Sequence, residues 1–169
     1  MKLDDLNTKP DEQFLDLIGG PLEGELWLAQ RIIAYRPFTT VDDLISAFDT
    51  VIGQTSDDEK VTLIASHPDL APSVDTKLSE ASVQEQAAAG LNRLSPEDFA
   101  TFNRLNAKYK EQFGFPFVIC ARENTKSSIL EKFEARLSNS REKEINTGVA
   151  EILKIIRLRL IDLIDTSES

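Results

Sequence analysis

The chain has 169 residues, 41% hydrophobic and 28% charged, which is the ordinary composition of a globular domain long enough to bury a core. Lys plus Arg number 19 and Asp plus Glu 29, a net charge of −10; that charge opposes binding to nucleic acid or to an anionic membrane, whose phosphates attract clustered positive charge. Cys120 is the only cysteine and His67 the only histidine, which excludes an intrachain disulfide and a metal site built from several histidines or cysteines.

Met1-Lys2-Leu3-Asp4-Asp5 places acids where a secretory leader needs an apolar run. Thr8 is positioned to cap a short helix with Pro10 in its first turn and Gly19-Gly20 beyond it. Pro21 is expected to open a second helix, through Trp27 and Ile33, that stops before Pro37. Thr40 with Asp43 forms a capping box ahead of an apolar face of Leu44, Ala47, Phe48, Val51 and Ile52. Ser56-Asp57-Asp58-Glu59 is a second box, and its helix must end at about Ser66 because Pro68 disfavours helical geometry at His67.

Ser82-Val83-Gln84-Glu85 is another candidate box. Ser95-Pro96 opens a helix whose spacing, Phe99, Phe102, Leu105, Tyr109, Phe113, is amphipathic and closed by Gly114. Phe115 to Ala121 is the one stretch with any strand character. Two charged helices follow, over about residues 126–137 and 141–164, and the charged stretch between them, Arg136 to Glu144, is either a loop near a site or a connector. Even the most apolar run, Ile152 to Ile164, contains Lys154, Arg157, Arg159 and Asp162 and cannot span a membrane. The closing Thr166-Ser167-Glu168-Ser169 is not a Ser-Lys-Leu-type peroxisomal address. The expectation is one compact all-α domain over residues 1–169, of about seven to nine helices, in the cytoplasm.

Among groups able to do chemistry, His67 exchanges a proton near neutral pH and sits at a helix end pinned by Pro68. The residues alone leave open whether it has a task or is an inert helix-terminal histidine. Glu85 is either an acid–base group or a reciprocal cap with Ser82. Gln86 has no such capping excuse and offers an amide to a ligand. The turn around Gly114 and Pro116 can leave backbone N–H groups available. On a helical wheel Arg159 lies inside one flank of the last helix's apolar arc and Arg157 on the other. A half-buried guanidinium seeks a carboxylate, from the protein or from a substrate. Cys120 reads as a small core residue.

Read together, Ser66-His67-Pro68-Asp69-Leu70-Ala71, Ser82-x-x-Glu85-Gln86-x-x-Ala89-Gly90-Leu91, Leu105-Asn106-x-x-Tyr109 and Phe113-Gly114-Phe115-Pro116-Phe117-Val118-Ile119-Cys120-Ala121-Arg122 occur in this order. The series resembles the 2-oxo-4-hydroxy-4-carboxy-5-ureidoimidazoline (OHCU) decarboxylase family of urate degradation. Arg36-Pro37-Phe38 and Ile155-Ile156-Arg157-Leu158-Arg159-Leu160 extend the resemblance over nearly the whole chain. It implies a cofactor-free, metal-free, all-helical enzyme that converts OHCU to (S)-allantoin, usually as a homodimer. It further implies His67 and Glu85 as catalytic residues. Pro68, Ser82, Gln86, Phe117, Val118, Ile119, Cys120, Ala121 and Arg159, with Arg157 the weaker choice, are implied as substrate contacts. The readings that compete are another ureido or hydantoin lyase or hydrolase on the same scaffold, and a non-enzymatic helical interaction module.

Overall fold

The computed structural model describes residues 1–23, 25–72 and 77–164. Among them are nine α-helices, two single 3-10 turns and no strand: α1 (Leu3–Thr8), α2 (Asp11–Gly19), α3 (Leu26–Ile32), α4 (Val41–Gly53), α5 (Asp57–Ala65), α6 (Glu80–Ala88), α7 (Pro96–Phe113), α8 (Lys126–Arg136) and α9 (Arg141–Leu163), with 3-10 turns at Ile33–Tyr35 and Ala121–Glu123. The all-α expectation and its helix count hold. The chain divides into two compact units, Met1–Glu59 with Leu153–Ser169, and Lys60–Ile152.

In the first unit α3 packs on α2 and α4, and Leu6, Phe14, Ile18, Leu28, Ile32, Leu44 and Phe48 are wholly buried. The Thr40–Asp43 box caps α4 as its sequence requires, with the Asp43 N–H donating to Thr40 Oγ1 at 3.1 Å. Asn7 fastens the chain before α4 by donating to and accepting from the Phe38 backbone, both at 2.8 Å. Phe38 stacks on Phe14, and the Arg36 guanidinium lies 4.9 Å from the Phe14 ring. Trp27 carries the Arg31 guanidinium 4.8 Å from its ring, and Arg31 pairs with Glu59 at 2.5 Å.

Two expectations fail here. Thr8 does not cap the second helix; it ends α1, its hydroxyl donating back to Asp4 O at 3.1 Å, and Pro10 takes the N-cap position of α2. Pro21 does not open α3. Successive turn bonds from Leu22 N–H to Gly19 O and Glu23 N–H to Gly20 O, with Leu22 buried as an anchor, bend the chain. Glu23 then takes the left-handed region at φ 54°, which a helix cannot contain.

The second unit is built around rings. Phe117 stacks on Phe133 with centroids 3.8 Å apart and planes 10° off parallel. Tyr109 meets Phe117 edge-on at 5.3 Å and Phe113 at 4.5 Å. These geometries suit the ring quadrupole. Ser95 caps α7, with Asp98 N–H donating to its Oγ at 3.1 Å, and Gly114 closes the helix at φ 81°. Of the apolar face read for α7, Phe99 is exposed and the other four residues are buried. Residues 116–120 carry no regular secondary structure and Ala121 begins a 3-10 turn, so the strand character read at Phe115–Ala121 does not become a strand.

Candidate active site

The Ser56–Glu59 box starts α5, each partner bonding the other's backbone N–H. Pro68 stops the helix where expected: Ser66 N–H still bonds Thr62 O, and His67 N–H reaches only Ile64 O, at 3.2 Å. The His67 side chain is buried, 7% exposed. Its Nδ1 lies 3.2 Å from Leu63 O, which also accepts from Ser66 Oγ at 2.6 Å and from Ser66 N–H at 3.3 Å. A carbonyl can only accept, so Nδ1 carries a hydrogen, and Nε2 is left as the ring's acid–base position.

The loop after His67 is fixed by side chains from other helices. Gln86 on α6 accepts from Ala71 N–H at 2.9 Å and donates to Asp69 O at 3.0 Å. Asn106 on α7 donates to Leu70 O at 2.9 Å, and Lys110 pairs with Asp69 at 2.6 Å. Ala71 sits at φ 47°, strained for a residue with a Cβ, and is held there by the Gln86 bond. Pro68 is half-buried beside this loop.

The third capping box is one turn out of place. Ser79, not Ser82, caps α6 and accepts from Ser82 N–H at 3.1 Å. Glu85 therefore lies inside the helix and is not the reciprocal cap of Ser82. Ser82 and Gln86, one turn apart, are buried on the same face, with Glu85 half-buried beside them. That helix packs against the Ala121–Glu123 turn.

Phe117, Val118, Ile119, Cys120 and Ala121 are all buried, none more than 7% exposed. Arg136 donates to Val118 O at 2.8 Å, and Asn124 to Cys120 O at 2.8 Å. Among the described residues, no acceptor bonds the backbone N–H groups of Val118, Ile119 and Cys120. Buried N–H groups left over in this way are donors aimed at something else. Burial pushes the Cys120 thiol up, and the nearby carboxylates of Glu123, Glu151 and Glu85 push in the same direction, so Cys120 is a buried neutral thiol and no thiolate nucleophile.

In the first unit, Arg159 is buried and pairs with Glu23 at 2.8 Å, while Nη1 also reaches Pro21 O at 3.3 Å. Arg157 is exposed and lies 3.4 Å from Asp42. Arg122 is exposed in the turn after Ala121. No group of three His, Cys, Asp or Glu side chains among the described residues could hold a metal ion.

Sequence reasoning missed Asn106 as a clamp and missed the buried network of Arg136, Glu144 and Tyr109. Tyr109 Oη donates to Glu144 at 2.7 Å, Arg136 Nε donates to the same oxygen at 2.7 Å, and Asn139 donates to the other at 3.0 Å. The signal was present: Ile129, Phe133 and Arg136 follow a four-three spacing, so the cation lies on the apolar stripe of α8.

The OHCU decarboxylase family matches residues 7–161. A 2-oxo-4-hydroxy-4-carboxy-5-ureidoimidazoline decarboxylase of Halalkalicoccus jeotgali is 35% identical over 163 residues, 96% of this chain and 92% of that protein. Its Xenopus laevis namesake is 37% identical over 165 residues, 96% and 94% of the two chains. The crystal structure of an (S)-allantoin synthase superposes with a TM-score of 0.81 at 26% identity, covering 100% of this chain and 56% of that one. A histidine on a clamped loop, the helix of Ser82, Glu85 and Gln86, and the buried Phe117–Ala121 segment thus occur in a chain that belongs to the OHCU decarboxylase family.

Proposed function

We propose that this protein decarboxylates OHCU to (S)-allantoin, with His67 and Glu85 as its catalytic residues. The observation that carries the assignment of residues is the position of α6, which clamps the His67 loop through Gln86 and packs on the turn that follows Ile119 and Cys120. One helix thereby links the His67 loop to the turn at the end of the Phe117–Ala121 segment.

The substrate supplies its own electron sink, so the reaction needs no carrier for a carbanion. The bond between C4 and the carboxylate breaks, and its electron pair becomes the C4–C5 double bond. The ring C=N pair moves onto nitrogen, which takes a proton. The 4-hydroxyl then surrenders its proton as C5 gains one, giving the carbonyl of allantoin. His67 Nε2 is the base matched to that hydroxyl, and Glu85 works with it in the acid–base steps. The N–H of Ile119, with the hydrogen-bonding positions that Gln86 retains, holds the ring and ureido oxygens. Pro68, Ser82, Phe117, Val118, Cys120 and Ala121 shape the walls. Proton delivery to one face of C5 is the outcome that matters, because undirected protonation gives a racemate.

Arg159 is the preferred recognition group for the substrate carboxylate, since it is the buried arginine of the pair and already holds a carboxylate, that of Glu23. Arg159→Leu raises KM or lowers kcat more than Arg157→Leu does; the reverse order moves the role to Arg157. Among the described residues no helix is long and apolar enough to cross a membrane. A cytoplasmic location and a homodimer are proposed on the family resemblance, and sedimentation equilibrium tests the second.

The deciding experiment adds freshly made OHCU to pure protein and follows circular dichroism. Optically active allantoin must accumulate above the blank; a racemic product at the spontaneous rate defeats the proposal. His67→Ala is expected to keep its helical signal and lose about 2–4 orders of magnitude in rate, and near-normal turnover removes His67 from the chemistry.

A further inference from the structure

We infer that Arg136, locked by Glu144, is a positioning residue that aims the Ile119 N–H at the substrate; the inference rests on the function proposed above. Val118 C=O and Ile119 N–H belong to one peptide unit. The only cis peptide among the described residues is Arg36–Pro37, so this unit is trans and planar, and its C=O and N–H point in opposite directions. Whatever fixes one fixes the other.

Arg136 Nη1 donates to Val118 O at 2.8 Å from the protein side, in a place where both residues are buried. The N–H on the opposite edge of that plane is the one that meets no acceptor among the described residues. The guanidinium is itself over-determined. Its Nε bonds Glu144 Oε1 at 2.7 Å, and Glu144 is 0% exposed and held by Tyr109 and Asn139 as well. Its carbon lies 4.2 Å from the Phe117 ring, which in turn stacks on Phe133. A guanidinium held through Nε and Nη1 and packed on one face has its plane fixed, and with it the peptide that it grips. A donor preset in this way loses little on meeting developing charge, whereas one that must reorient during the reaction contributes far less.

The test uses the full chain labelled with 15N-isoleucine, the Ile119 peak being assigned with Ile119→Val, and (S)-allantoin as the titrant. In the parent protein the Ile119 amide proton moves downfield on binding; an amide that does not respond overturns the inference. Arg136→Lys keeps the charge beside Glu144 but replaces the rigid planar fork with a shorter stem and a compact ammonium, which does not fix the direction of the Val118 carbonyl. It is expected to lower kcat about tenfold, to change KM by less than about threefold, and to shrink the Ile119 response. A merely structural role leaves kcat per folded molecule and the Ile119 response as in the parent, and that result overturns the inference. Should Arg136→Lys fail to fold, Tyr109→Phe removes one hydroxyl bond to Glu144 outside the site and is read in the same way, with kcat reduced about threefold; unchanged kcat and response overturn it. Absence of OHCU turnover by the parent protein defeats the function itself, while normal parent turnover with an insensitive Arg136→Lys defeats only this inference.

Discussion

Two irregular segments of the second unit, residues 68–71 and 115–120, face the same difficulty of keeping non-helical backbone inside a helical core, and they solve it differently. The buried ties of the His67 loop are neutral amides, Gln86 at two points and Asn106 at one, and its one ion pair, Lys110–Asp69, is solvent-exposed. The Phe117 segment is tied by a buried charge, Arg136 on Val118 O, and by ring stacking on Phe133. Amide bonds to backbone are individually modest and independent of pH. A buried ion pair is an all-or-none device, because either partner alone is a stranded charge. The first segment can thus yield by degrees, and the second cannot.

The comparison breaks most visibly at Glu144. Glu144→Leu strands Arg136 and is expected to cost about 3–5 kcal/mol in urea unfolding, whereas the double change with Arg136→Met recovers a large part of that loss. Equal losses in the single and double variants would remove the distinction between the segments. Phe133→Ala, which leaves Phe117 without its stacking partner, is expected to cost about 3–5 kcal/mol as well, with no recovery available from a second site. On the other segment, Gln86→Leu strands Ala71 N–H and Asp69 O at roughly 1–3 kcal/mol each, and Asn106→Leu strands Leu70 O alone at about half the total. If the two amide variants cost the same, the loop is not held point by point.

The smallest effect is a pH dependence. Burial raises the Cys120 thiol from its ordinary value of 9.0 and raises the Tyr109 phenol, which starts from 10.0 and also donates to Glu144. The unfolded chain loses these protons first, so stability is intact below about pH 8.5 and falls as pH rises through the ordinary values. The thermal midpoint therefore declines between about pH 8.5 and 10.5, and less steeply in Cys120→Ala. An unchanged slope assigns the decline to Tyr109.

Where local rules act alone, the sequence was readable. The Thr40–Asp43 and Ser56–Glu59 boxes, the Ser95-Pro96 start, the Gly114 stop and the end of α5 before Pro68 all depend on a few adjacent residues, and each appears as read. Ser82 misled because Ser79, three residues earlier, competes for the same cap and wins by taking the Ser82 N–H. Pro21 misled because the buried Leu22 and a left-handed Glu23 commit that stretch to a turn. The Nδ1 contact of His67 and the grip of Gln86 on Ala71 were beyond reach, since they arise from residues brought together by packing. The choice of His67, Glu85 and Gln86 came from family likeness and not from periodicity; the fold adds that these residues share one connected set of helices and loop.

Trp27, the sole tryptophan, lies in the first unit, with the Arg31 cation on its ring; the buried Tyr109 lies in the second, its hydroxyl on a carboxylate. With Tyr35, the other tyrosine and a residue of the first unit, replaced by Phe, indole emission reports the first unit and the phenol absorbance of Tyr109 reports the second. An unfolding curve followed by both signals reports directly whether the units melt as a single cooperative block: coincident transitions mean that they do, and displaced ones date the loss of the His67 region against the loss of α2–α4.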